Sequence, residues 1–159
     1  MSDLNSKFQA RSNLPVYLAE LGQLMRRAVG AGELLPLEET HTIRERASKF
    51  KRTPLRKQEL PFSDRETTRF HAMIEQLSTL NSASIYVWTP RAYICGLHRL
   101  VPLHEINFQF AFDINREGIL SLLTEDLRNG LLLDFSEEVA GVRTLEIELS
   151  GESWGLAKY

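Results

Sequence analysis

The chain has 159 residues, 43% hydrophobic and 25% charged, with 19 Lys and Arg against 21 Asp and Glu. That is the balance of one ordinary soluble domain with enough mass for a core, and it excludes disordered, collagen-like and coiled-coil classes. No run approaches the roughly 18 to 20 apolar residues that span a bilayer. The opening MSDLNSKFQARSN offers no apolar stretch for a signal peptide, and the single cysteine, Cys95, forbids an internal disulfide. The expected compartment is therefore the reducing cytoplasm.

The first half reads as helices. Leu14, Leu18, Leu21, Met25 and Ala28 recur at three- and four-residue steps, with Asn13 and Pro15 suited to a helix start and Gly30 and Gly32 to its end. A second helix runs from Leu37 to about Phe50, with Ile43, Ala47 and Phe50 on one side, Pro36 before it and Thr53-Pro54 stopping it. Residues 51–62 hold Pro54 and Pro61 and little apolar content, which predicts an exposed basic linker. Ser63-Asp64-Arg65-Glu66 has the S-x-x-E form of a capping box, followed by Phe70, Met73, Ile74, Leu77 and Leu80 at helical spacing.

Beyond residue 82 the period changes to two. Ile106, Phe108, Phe110 and Phe112 alternate with smaller or polar residues, as do Leu145, Ile147 and Leu149 with Thr144, Glu146 and Glu148. Each pattern predicts a strand with one wet face. Shorter β-rich runs are Ile85 to Trp88 and Leu131 to Phe135. Ile119 to Leu123 fits either a strand or part of a helix from Asn115 to Arg128, and its length before Asn129-Gly130 favours the strand. The expected architecture is a single α+β domain over 1–159. Its helical part, 1–80, packs on a mainly antiparallel meander of about five or six strands in the β-rich part, 82–159.

The net charge of −2 conceals two poles. Between Arg44 and Lys57 lie seven bases and one acid; from Glu105 onward lie eleven acids and four bases. The basic pole is able to grip phosphates by counterion release, yet only Phe50 and Phe62 are near to stack bases, so a solvated helix face with a linker is the plainer reading. The acidic pole is more informative. Asp134, Glu137 and Glu138 end one strand, and Glu146 and Glu148 occupy the polar face of the next, with Asp113, Glu117 and Asp126 expected nearby. Like charges gathered on one face destabilise it unless a basic partner offsets them.

Three catalytic or metal patterns are incomplete. Asp113 to Gly118 opens like a calcium loop, but its twelfth position is Thr124, where a bidentate carboxylate belongs. Cys95, His98 and His104 have zinc-like spacing without a fourth ligand, and Cys95 with a histidine lacks any further signature of a nucleophile and base. No enzyme activity, cofactor or metal is expected from them.

The segments YVWTPR (Tyr86 to Arg91), FAFDINREGILSLL (Phe110 to Leu123), LLLDFSEE (Leu131 to Glu138) and LEIELSGESWG (Leu145 to Gly155) resemble small cytosolic immunity proteins of bacterial contact-dependent inhibition and polymorphic toxin systems. The resemblance covers roughly residues 82–159. It implies a stoichiometric inhibitor whose partner is the toxic C-terminal domain of a delivered effector, often a nuclease. A clustered acidic face would then imitate nucleic acid and speed association with a basic partner. The expected contacts are Asp113, Glu117, Asp126, Asp134, Glu137, Glu138, Glu146 and Glu148, with Trp88, Trp154 or Tyr159 as aromatic anchors. The alternative is a nucleic-acid-binding regulator that uses the basic 44–57 stretch.

Overall fold

The computed structural model describes residues 2–109 and 117–159. In chain order the elements are helix α1 (Ser2–Met25), helix α2 (Leu37–Lys49), strand β1 (Leu55–Pro61), helix α3 (Thr68–Leu80), strand β2 (Ile85–Trp88), a one-turn helix α4 (Ala92–Cys95), and strands β3 (Ile119–Thr124), β4 (Gly130–Asp134), β5 (Glu138–Val139) and β6 (Val142–Ser150). Every strand pairing is antiparallel, in the order β1-β6-β4-β3-β2, with β5 pairing β6 beyond the end of β4. The fold is α+β, with a meander from β2 to β6 and one strand added from the helical half.

That added strand corrects the expected linker. Residues 55–61 alternate no apolar side chains, and only Leu60 is buried. Backbone pairing with β6, from Leu55 opposite Ser150 to Pro61 opposite Thr144, is what makes them a strand. A charged edge strand closed by a proline resists pairing with other chains, which explains a sequence that looks like a loop.

One face of the sheet is dry. Leu145, Ile147 and Leu149 of β6, Leu131 and Leu133 of β4, Leu120 and Leu122 of β3, and Ile85 and Val87 of β2 lie in register and are all buried. Helix α3 contributes Phe70, Met73, Ile74 and Leu77 to the same core, as its spacing predicts. Its start differs from the expected box. Residues 62–66 form a 3-10 turn, and Thr67 caps the helix, its hydroxyl accepting from the Phe70 N–H at 3.2 Å. The turn sets the Phe62 ring 5.9 Å from that of Phe135 and under the Arg65 guanidinium, 4.0 Å away. Those contacts outweigh the local capping signal.

Helix α1 begins twelve residues or so before the expected start and runs through Pro15. Its buried side is also rotated: Tyr17, Glu20, Leu21, Leu24 and Met25 are buried, Leu14 and Leu18 only partly, and Ala28 lies exposed past the helix end. The rotation brings Glu20 onto Arg91, beside α4, in a close ion pair. The strand expected over 106–112 is absent from its described part. Ile106 and Phe108 are buried, but Asn107 accepts from the Gln109 N–H at 3.0 Å and from Arg26 at 2.8 Å, which turns the chain instead. Phe110 and Phe112 lie outside the described residues.

Candidate functional site

The second face of the sheet carries the candidate site. Register partners share a face and residues two apart along a strand stay on it. Glu59 of β1, Glu146 of β6 and Asp134 of β4 therefore form one row across three strands, roughly 10 Å wide from the ordinary strand spacing. Glu148 stands beside it, between Lys57 and Leu132. The Lys57 ammonium is 3.2 Å from Glu148 and 3.7 Å from Glu146, and its hydrogen bond to Glu148 and the charge of both carboxylates hold its pKa above the usual lysine value. Asp134 accepts from the N–H and hydroxyl of Ser136 at 3.0 and 2.6 Å, which fixes its direction. Four carboxylates thus share one face, and two of them, Glu146 and Glu148, hold the one ammonium.

Beyond the row is an apolar pair. Val139 and Val142 face each other across the β5–β6 hairpin, 58% and 56% exposed, and Val142 falls on the same side of β6 as Glu146 and Glu148. The hairpin turns through Ala140 and Gly141, both at positive φ. Val142 is four residues from Glu146 along β6, so the pair lies about 13 Å beyond the row on the same face.

The eight expected contact residues are only partly brought together. Asp134, Glu146 and Glu148 converge, and Glu59, hidden in the supposed linker, joins them. Glu138 pairs with Arg143, whose alternation puts it on the other side of the strand, and Glu137 lies exposed in the break between β4 and β5. Glu117 precedes β3, and its charge, after burial, helps raise the pKa of Glu20 on α1. Asp126 does not converge: it sits in the β3–β4 turn, about 17 Å along the strand from the Ile119–Asp134 end. There its carboxylate accepts from the Thr124 hydroxyl at 2.7 Å and the Arg128 N–H at 3.0 Å, a turn-forming role. Asp113 lies outside the described residues.

The aromatic anchors also sort differently. Trp154 is fully buried, its indole N–H donating to the Leu77 carbonyl at 3.0 Å. Tyr159 is held by the Arg69 guanidinium, 4.4 Å over its ring, and donates to Asp64 at 3.3 Å, which fastens the C-terminal segment beside α3. Both are structural. Trp88, 6% exposed, sits on the same face as the carboxylates, in the register row Glu148–Leu132–Ser121–Trp88.

Of the calcium-like stretch 113–118 only Glu117 and Gly118 lie within the described residues. Gly118 is at φ +66°, and a Cβ there would lie 2.8 Å from the Ser136 backbone, so close approach to the neighbouring chain explains this glycine. His98 is fully buried, which pushes its pKa down; one ring nitrogen is 2.7 Å from the Arg99 carbonyl and the other 3.6 Å from Glu33, too far for a hydrogen bond. Its nitrogens are thus directed away from any role as a base for Cys95, whose thiol burial pushes up. His104 is exposed in a 3-10 turn. Among the described residues no three His, Cys, Asp or Glu side chains are grouped to hold a metal, and no helix is long and apolar enough to cross a membrane.

The basic pole is divided by the fold. Arg44, Arg46 and Lys49 remain on α2, whereas Arg52 donates to the Ala47 and Leu127 carbonyls at 3.2 and 3.1 Å, Arg56 to the Ala157 carbonyl at 2.9 Å, and Lys57 joins the carboxylates. No protein-family model matches the chain, and neither a curated protein nor a solved structure matches it.

Proposed function

We propose that this chain is a non-enzymatic protein-binding module, and more particularly an immunity protein that neutralises a cognate bacterial toxin domain in the cytoplasm. The open sheet face docks on a basic surface of that domain, such as the phosphate-binding surface of a nuclease. The observation that carries this reading is the register row Glu59–Glu146–Asp134 with Glu148 alongside, offset within the chain by Lys57 alone among the described ion pairs. Like charges directly opposite one another destabilise a sheet, a cost that a cationic partner removes. The neighbouring Val139–Val142 pair supplies apolar area that carboxylates alone lack.

The test is co-expression with the C-terminal domain of the polypeptide encoded immediately upstream. Growth rescue and a stoichiometric complex are expected, with rescue lost in the triple variant Glu59→Lys, Glu146→Lys, Glu148→Lys while its circular dichroism is unchanged. Absence of both rescue and complex overturns the function. Full rescue by the folded triple variant overturns the site.

A further inference from the structure

At the opposite end of the same face, helix α2 overhangs strands β2 and β3 and leaves a cleft of about 270 Å³. Arg44, Ser48 and Arg52 line it from the α2 side, Ser121 from β3, Trp88 from β2 and Tyr93 from α4. We propose that this cleft binds a small phosphate monoester.

Arg52 commits one guanidinium nitrogen to the Ala47 and Leu127 carbonyls, which anchors the group and leaves its remaining N–H donors for the cleft. Arg44 lies with its guanidinium carbon 4.3 Å from the centre of the Tyr93 ring, and that ring packs in turn on Trp88, centroids 5.3 Å apart. Stacking fixes the plane of the guanidinium without using its N–H groups. Neither arginine takes part in an ion pair among the described residues.

Trp88 supplies a flat apolar wall to the cleft, its side chain almost wholly buried and its ring packed on that of Tyr93.

No carboxylate lines this cleft. Two preorganised guanidiniums and the Ser121 hydroxyl form a donor set matched to a ligand that only accepts and carries more than one negative charge. A phosphate monoester has that chemistry, and its three terminal oxygens suit donors arriving from different directions better than a planar carboxylate does. The buried Leu123 side chain and the Trp88 ring provide apolar wall for the organic part of the ester. This inference does not depend on the docking function, because the cleft shares none of the four carboxylates.

Phenyl phosphate is a suitable probe, with inorganic phosphate as competitor and benzoate as control. Trp88 reports directly, since the other tryptophan, Trp154, is enclosed in the core. Expected are a saturable change in tryptophan fluorescence at low ionic strength, competition by inorganic phosphate, and a loss of about tenfold or more in affinity by calorimetry for Arg44→Gln. Ser121→Ala should weaken binding severalfold, and Trp88→Phe should abolish the optical change while calorimetry still shows weaker binding. Arg44→Gln is the decisive variant, because the Arg52 side chain also ties two backbone carbonyls. No saturable binding, an unchanged affinity in folded Arg44→Gln, or benzoate binding as tightly as phenyl phosphate would each overturn the proposal. An oligonucleotide whose affinity grows with length and displaces phenyl phosphate would assign the cleft to nucleic acid instead.

Discussion

Asn129 shows how much one buried side chain can hold. Its amide oxygen accepts from the Ser153 and Trp154 N–H groups at 2.9 and 3.0 Å, tying the β3–β4 turn to the segment that delivers Trp154 to the core. Asn129→Ala leaves two N–H groups without that acceptor, and chemical denaturation should show a loss of about 2 kcal/mol; Asn129→Asp, which keeps the oxygen, should lose less. Asn129-Gly130 is legible in the sequence as a turn, but a bond to backbone 24 residues away leaves no periodic trace. Glu20 is hidden for a related reason, since a helical stripe of apolar letters puts a glutamate outside the buried face. Burial raises its pKa to about 7 against the attraction of Arg91, and one carboxylate oxygen lacks a partner. A carboxyl whose folded pKa is raised favours the fold below its unfolded value and loses that contribution as pH rises through the folded value. The stability of Glu20→Gln relative to the parent should therefore improve from pH 5 to pH 8, at no more than about 1.4 kcal/mol per pH unit. Urea midpoints of both proteins across that range check the sign, and a flat difference would contradict it.

At the scale of elements, β1 is where sequence and fold part most clearly. Helices α2 and α3 and strand β6 follow from spacing, β2 and β4 from β-rich runs between turn residues, and β3 from its length before Asn129-Gly130, where a helix fitted as well. Strand β1 buries one, Leu60, and owes its form to β6. Leu60→Ala should cost about 2 kcal/mol by denaturation, the lower end for an aliphatic residue at an edge that is able to relax. Lys57→Glu should lower the unfolding midpoint, with the loss shrinking as salt is added, because it sets another carboxylate against Glu146 and Glu148. A loss independent of salt would mean that Lys57 acts through packing.

Over the whole molecule, the sheet's open face is bipolar. Carboxylates crowd the β1-β6-β4 side, and arginines overhang the β3-β2 side, about three strand spacings or 14 Å away along the row from Glu148 to Trp88. The acidic and basic poles were visible as charge runs, yet their composition was not. Glu59 and Lys57 reach the acidic side only through strand pairing, and Asp126 leaves it because a turn faces the other end of the sheet. Such a face should steer a cationic protein by long-range attraction, so electrostatics should act mainly on the association rate. The most direct measurement is stopped-flow association with an inactivated C-terminal domain of the upstream-encoded polypeptide over a range of ionic strength. The account expects a rate that falls steeply with salt in the parent protein and is slow and nearly salt-independent in the Glu59→Lys, Glu146→Lys, Glu148→Lys variant. Equal rates with equal salt dependence in the two would contradict it.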